Sequence, residues 1–138
     1  MIGRNRRAPL RVVAAVIVEN GKLLIAKRYD GAPRGGLWEL PGGKVEAGET
    51  DEGALVRELV EELGIEARVL ERFGSVLHSY SDLTIDLVAY RCEILSGAPA
   101  PIGAKETAWV SLAEISCYEF PEADAPLLDR LTKEPVET

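Results

Sequence analysis

The segment from Gly43 to Ile65, GKVEAGETDEGALVRELVEELGI, constrains the fold more than any other part of the chain. Its apolar residues recur at helical spacing, which predicts an amphipathic helix over about Asp51 to Leu63. Thr50 suits the N-cap of this helix, and Gly64 suits its C-terminal stop. The residues expected to form the buried stripe are Leu55, Val56, Leu59, Val60 and Leu63.

The same segment predicts a cluster of acidic side chains. Glu58, Glu61 and Glu62 stand at i, i+3 and i+4, so they share one face of the helix. Like charges one turn apart cost a few tenths of a kcal/mol, and the last turn of a helix prefers cations. A hard divalent cation removes both penalties, and carboxylate oxygens are the ligands that Mg²⁺ prefers. The alternative is a solvated acidic face, salt-bridged by Arg57.

The flanking sequence predicts strands on both sides of the helix. Two β-branched, apolar runs, Arg11 to Glu19 and Lys22 to Arg28, are separated by Asn20-Gly21, which indicates a hairpin. Pro41-Gly42-Gly43 is expected to end a short strand predicted at about Trp38–Leu40. The remaining predicted elements are strands at about Ala67–Ser79, Leu83–Leu95 and Thr107–Val110, and a helix at about Ala125–Leu131. This mixed order predicts an α/β or α+β fold with a mixed sheet.

Length and charge narrow the functional classes. A chain of 138 residues fits one domain, in which residues 1–10 are expected to be a flexible tail or a phosphate-attracting arm. The net charge of −7 argues against a nucleic-acid polymer as partner, and no apolar run is long enough to span a membrane. Cys92 and Cys117 form no spaced cluster, so neither a disulfide framework nor a zinc site is predicted. A reducing cytoplasm is the expected location.

The Gly43 to Ile65 segment resembles the signature of the Nudix hydrolase family. That pattern is Gly, five residues, Glu, seven residues, Arg-Glu-aliphatic, one residue, Glu-Glu, one residue, Gly-aliphatic. It is filled here by Gly43, Glu49, Arg57, Glu58, Leu59, Glu61, Glu62, Gly64 and Ile65. With GLWELPG, the hairpin and the C-terminal segment, the resemblance covers about Val12 to Leu131. It implies an α/β/α sandwich with a mixed sheet, and a hydrolase that depends on Mg²⁺, for which Mn²⁺ can substitute.

The resemblance also implies roles for individual residues. Arg57 would orient a glutamate, Glu49 would support the site, and one of the helix glutamates would activate water. The implied metal ligands are Glu58, Glu61, Glu62 and the carbonyl oxygen of Gly42.

One position departs from the family pattern. Relatives often carry another metal-binding glutamate about six residues before the tryptophan of the late strand, where this chain has Gly103 before Trp109. Glu106 is the nearest acid. It either reaches the metal by a different loop path or is a surface acid beside Lys105.

Four further residues are candidates for substrate contact. Arg28 is expected either to contact a ligand or to be a surface charge at the end of a strand. Lys44 is expected either to bind a phosphate or to be exposed to solvent. Tyr80 stacks on a base or packs in the core. By resemblance to MutT-like members, Asp124 in Ala123-Asp124-Ala125-Pro126 contacts the base edge, and the alternative is an N-cap for the last helix.

Three functions are compatible with the sequence. The favoured one resembles the MutT-like branch: hydrolysis of a nucleoside triphosphate to monophosphate and pyrophosphate, sanitising cytosine nucleotides or oxidised ones such as 8-oxo-dGTP. The second is hydrolysis of another diphosphate, such as a dinucleoside polyphosphate or nucleotide sugar. The third is a non-catalytic nucleotide-binding regulator. In each case the partner is a small nucleotide, and the protein is a monomer or a homodimer.

Overall fold

The computed structural model describes residues 8–134. Of the predicted tail, residues 1–10, residues 1–7 lie outside the described range, whereas Leu10 already belongs to the first strand. The strands are β1 (Leu10–Val16), β2 (Val18–Glu19), β3 (Lys22–Lys27), β4 (Trp38–Glu39), β5 (Gly42–Lys44), β6 (Glu66–Ser79), β7 (Thr84–Ser96) and β8 (Glu106–Ser111). The helices are α1 (Asp51–Leu63), α2 (Ala125–Lys133) and two short 3₁₀ helices, Leu112–Cys117 and Glu122–Asp124.

The strands form two sheets. The first has the order β5-β1-β7-β6 and is mixed, because β1 runs parallel to β7 while β5 and β6 run antiparallel to their neighbours. In the second, β3 pairs antiparallel with β2, β4 and β8. The predicted mixed sheet is thus confirmed, accompanied by a smaller antiparallel sheet.

Both faces of β1, β3 and β7 are buried, which explains their nearly continuous apolar runs. Along β1, Val13 and Ala15 belong to a core cluster with the buried residues of α1, whereas Ala14 and Val16 belong to a second cluster with α2. Residues of β3 and β7 divide between the two clusters in the same alternating way. Helices therefore cover opposite faces, as in the expected α/β/α sandwich.

The predicted hairpin is confirmed by its turn geometry. Asn20 and Gly21 have φ values of 53° and 75°, and they connect β2 to β3. Two consecutive left-handed residues are characteristic of a type I′ turn, which matches the twist of the flanking strands.

Helix α1 begins and ends at the predicted residues. The Thr50 Oγ1 atom accepts a hydrogen bond from the Gly53 N–H at 3.0 Å, and Gly64 adopts the left-handed conformation at φ 70°. The predicted buried stripe is only partly right. Leu55, Leu59 and Leu63 are fully buried, but Val56 and Val60 are 37% and 47% exposed. These valines lie beyond the edge of the stripe, and Ala54 fills the core instead.

The short strand before Pro41 ends at Glu39, close to the expected stop. Gly42–Lys44 then forms strand β5 against β1, which was not predicted. Glycine is required there: a Cβ on Gly42 would lie 1.9 Å from the Val13 carbonyl oxygen. The two 3₁₀ helices were also not predicted, since short polar turns lack a periodic signal. No helix among residues 8–134 is long and apolar enough to cross a membrane.

Leu59→Ala is expected to lower the free energy of unfolding by about 2–5 kcal/mol, because it leaves a cavity between α1 and the sheet. Val60→Ala, on the next residue of the same helix, is expected to change it by less than about 0.5 kcal/mol. Denaturant titration of both variants measures the difference. Equal losses would contradict the observed helix orientation.

Candidate active site

The backbone of β5 brings two helix glutamates together. The Gly42 N–H donates to Glu62 Oε1 at 3.3 Å. A Cβ built on Gly43 would lie 2.3 Å from the Glu58 carboxyl carbon, so this carboxylate rests directly against the glycine backbone. The Gly-Gly pair therefore makes room for both acids between β5 and α1.

Arg57 connects the loop before α1 to the helix acids. Its Nε and Nη2 atoms donate to the two oxygens of Glu49 at 2.7 and 2.9 Å, which is a bidentate pair. Nη2 also donates to the Lys44 carbonyl at 3.1 Å. Nη1 donates to Glu58 at 3.1 Å and to Glu61 at 3.2 Å. One guanidinium thus contacts Glu49, Glu58 and Glu61 together.

The acids differ in their electrostatic state. Arg57 holds the pKa of Glu49 low, at about 2. Desolvation raises the pKa of Glu58, and it raises that of Glu62 to about 9, with the neighbouring Glu39 adding to the effect. Burial likewise raises the pKa of Glu39, although Arg28 donates to its Oε1 atom at 2.9 Å. The site therefore holds more buried carboxyl groups than its arginines keep in the charged form, so burial favours protonation of Glu62, Glu58 and Glu39.

A cavity of about 250 Å³ opens beside these acids. Its lining includes the Gly42-Gly43 backbone, against which Glu58 and Glu62 lie. Its lining also includes Asp124, a buried residue that is only 7% exposed.

Asp124 is not a side-chain cap, although it stands at the N-cap position of α2. Its Oδ2 atom accepts from the Leu40 N–H at 3.3 Å. Its Oδ1 atom forms no hydrogen bond with any part of residues 8–134, yet it is not sealed from solvent. Burial, with Glu39 nearby, raises the pKa of Asp124 to about 7. The capping alternative is therefore wrong, and Asp124 keeps one oxygen available to the cavity.

The other predicted contact residues also line the cavity. Arg28 faces it while paired with Glu39 and while donating to the Pro33 carbonyl at 2.8 Å. Lys44 and Tyr80 are further lining residues. The Tyr80 hydroxyl oxygen accepts from the Ala123 N–H at 2.9 Å, which ties it to the segment that carries Asp124.

Comparison with known proteins identifies the family. A family model described as a NUDIX domain matches residues 12–130. The chain belongs to the Nudix family. It is 42% identical to the CTP pyrophosphohydrolase of Escherichia coli over 120 residues, which cover 87% of this chain and 89% of that protein. It is 34% identical to the 8-oxo-dGTP diphosphatase of E. coli over 115 residues, covering 83% and 89%.

Solved structures agree with this assignment. The MutT Nudix hydrolase of Burkholderia pseudomallei has a TM-score of 0.82 and 30% identity, with 91% of this chain and 100% of that chain covered. The present chain is a hydrolase that acts on pyrophosphate bonds.

Nudix hydrolases generally use divalent metal ions, and the residues of this site fit such an ion. Within residues 8–134, no three His, Cys, Asp or Glu side chains are grouped closely enough to hold a metal as they stand. Arg57 engages Glu58 and Glu61, and Glu62 is turned to the Gly42 N–H. The donor chemistry is nevertheless that of a hard cation, since the carboxyl oxygens of Glu58 and Glu62 meet at the Gly42-Gly43 backbone.

Glu106 lies apart from this cluster in the structure. It is the first residue of β8, opposite Lys27 of β3, and its carboxylate lies 3.8 Å from the Lys27 Nζ atom. Within residues 8–134, no hydrogen bond or ion pair joins Glu106 to a helix glutamate. Gly103 occupies the space beside the end of α1, where a Cβ would lie 3.2 Å from the Glu61 carbonyl oxygen. Metal binding by Glu106 remains a prediction.

Two cavity residues were missed by sequence reasoning. The sequence predicts a short strand at Glu39 and a loop at Arg34, and it assigns no functional role to either residue. A single acid in the apolar run GLWEL was the available signal for Glu39, because an isolated carboxylate in a strand requires a reason. Arg34 has no comparable signal, since its position over the cavity depends on the path of the loop.

Proposed function

We propose that this chain hydrolyses a nucleoside triphosphate to the monophosphate and pyrophosphate, with Mg²⁺ as the cofactor and Mn²⁺ able to replace it. The observation that supports this most is the shared cavity. Its lining includes both Asp124, a buried acid with one oxygen available, and the glycine backbone beside Glu58 and Glu62. In this proposal the base lies beside Asp124, at the base end, and the phosphates lie beside the glycine backbone, at the phosphate end.

The residues at the phosphate end have different proposed roles. Glu58, Glu61, Glu62 and the Gly42 carbonyl oxygen are the proposed metal ligands. When bound, the cation neutralises the charge of the phosphate oxygens and makes water a better nucleophile. Arg57 keeps Glu58 and Glu61 in place, and Glu49 fixes the guanidinium on its other side. A glutamate within hydrogen-bond reach of the water accepts its proton.

The residues at the base end set the specificity. Asp124 is the proposed contact to the base edge, with Tyr80 as a wall of the same pocket and Arg28 beside them. Lys44 lines the cavity next to Gly43, where a phosphate is expected. The named relatives act on CTP or on 8-oxo-dGTP, and these are the two proposed substrate types. The proposed biological role is sanitation of the nucleotide pool in the cytoplasm, by one Nudix domain that is a monomer or a homodimer.

The products of a substrate panel test this proposal. CTP, dCTP, 8-oxo-dGTP, a dinucleoside tetraphosphate and a nucleotide sugar are incubated with Mg²⁺, Mn²⁺ or EDTA. We expect monophosphate and pyrophosphate in equal amounts from a triphosphate, and no reaction in EDTA. Orthophosphate as the first product would refute this reaction. A higher kcat/KM for the dinucleotide or the sugar would favour hydrolysis of another diphosphate, and binding without turnover would favour a regulator.

A further inference from the structure

Arg34 lines the cavity together with Tyr80. It belongs to the loop between β3 and β4 and has a φ of 57°. Its guanidinium carbon lies 4.2 Å from the centre of the Tyr80 ring. Its Nη1 and Nη2 atoms each donate to one oxygen of Asp82, both at 3.3 Å. The loop is thereby joined to the turn between β6 and β7.

The contacts of Tyr80 place this group at the base end of the cavity. The Tyr80 hydroxyl accepts from the N–H of Ala123, the residue before Asp124, and its ring edge packs against His78 at a centroid distance of 4.6 Å. Arg34 therefore covers a face of the aromatic ring that is anchored beside the proposed base contact. Among residues 8–134, its side-chain polar contacts are to Asp82 and Tyr80, and none is to a helix glutamate.

The position of Arg34 is poorly explained by stability alone. Asp82 is 53% exposed, and an exposed ion pair contributes little to folding. The Arg34 side chain is itself only 21% exposed because it lies against the cavity wall. A guanidinium is planar and stacks on nucleobases as well as on tyrosine. A bidentate partner and an aromatic ring together hold that plane in a fixed orientation.

We infer that Arg34 is a substrate-binding residue: its guanidinium, held by Asp82 and Tyr80, packs against the nucleoside part of the substrate. This inference rests on the proposed function, because it assumes that a nucleotide occupies the cavity. We expect Arg34 to affect substrate affinity and base preference. The helix acids, and not Arg34, act in the chemistry at the phosphates.

Equilibrium binding without turnover separates this role from catalysis. CMP and 8-oxo-dGMP are titrated calorimetrically into each protein in EDTA, and the tighter ligand of the wild type is used for comparison. We expect Arg34→Ala to weaken binding about tenfold, since stacking of a base is lost. Arg34→Lys keeps the charge without the plane and is expected to lose nearly as much. Asp82→Ala keeps the guanidinium and is expected to lose less than about threefold.

The matched control is Arg68→Ala, which removes another ion-paired arginine, exposed on β6 and paired with Glu93. Its binding is expected to stay within about twofold of wild type. Unchanged binding in Arg34→Ala, full recovery in Arg34→Lys, or equal losses in Arg34→Ala and Asp82→Ala would overturn the inference. Wild-type binding that Arg34→Ala leaves unchanged overturns the role of Arg34 alone, whereas a wild-type protein that binds neither monophosphate contradicts the proposed function on which this role rests.

Discussion

Replacing Glu62 by Gln is expected to lower kcat by about 10³-fold while leaving the fold intact. The substitution removes a proposed metal ligand, and a bound cation supplies several kcal/mol of stabilisation to the reacting phosphate. Gln keeps the size of the side chain and can still accept from the Gly42 N–H, which lies 3.3 Å from Oε1. Steady-state kinetics with CTP and 8-oxo-dGTP over a range of Mg²⁺ concentrations provide the measurement.

The same substitution is expected to raise the thermal stability of the metal-free protein. Burial raises the pKa of Glu62 to about 9, so the folded protein favours the protonated form. That contribution to stability is complete below the ordinary carboxyl pKa and is lost as the pH rises towards 9. A neutral amide does not incur this loss. In EDTA at pH 8, the Tm of Glu62→Gln should therefore exceed that of the wild type.

Glu52→Gln is the matched control, because Glu52 is an exposed glutamate in the first turn of the same helix. It is expected to leave kcat unchanged. A folded Glu62→Gln variant with wild-type turnover would show that Glu62 does not bind the catalytic metal. A Tm below that of the wild type in EDTA would show that the Glu62 charge is compensated in the folded protein.

The helix and its acids could be predicted because their signals are local. Capping by Thr50 and Gly64, the leucine spacing and the positions of the glutamates all depend on residues within a few turns of one another. The hairpin at Asn20-Gly21 is equally local, since both residues adopt the left-handed conformation that its turn requires. The resemblance to the Nudix signature then added the expectation that Arg57 orients a glutamate and that Glu49 supports the site.

The features that could not be predicted depend on tertiary packing. Val60 stands at a spacing compatible with the buried stripe, yet the neighbouring elements leave it 47% exposed. Glu39 becomes part of the site only because its strand lies between Arg28 and the end of α1. Glu106 pairs with Lys27 because the register of β8 against β3 places them opposite each other. Sequence spacing alone contains none of these distances.

The preference between cytosine and oxidised guanine substrates is expected to change with pH near neutrality. The pKa of Asp124 is raised to about 7 by burial and by Glu39, whereas the Leu40 N–H and Arg28 act in the opposite direction. Above this pKa the carboxylate only accepts hydrogen bonds, which suits the N4 amino group of cytosine. Below it, the protonated acid can donate to a base carbonyl such as O6 of 8-oxoguanine. The kcat/KM ratio of CTP to 8-oxo-dGTP should therefore rise between pH 6 and pH 8.

Asp124→Asn tests this explanation, because an amide donates and accepts at every pH. We expect the variant to have a ratio that is nearly independent of pH and that differs from the wild-type value by about tenfold at pH 8, as a pocket hydrogen bond discriminates strongly. Glu114→Gln, at an exposed acid in the Leu112–Cys117 helix, should retain the wild-type profile.

The stability of the folded protein has a separate dependence on pH. Because the pKa of Asp124 is raised, wild-type stability falls as the pH rises towards 7, and Asp124→Asn should remove part of that fall. A variant that shows the altered stability but keeps the wild-type substrate ratio at every pH would show that Asp124 is a buried acid without contact to the base.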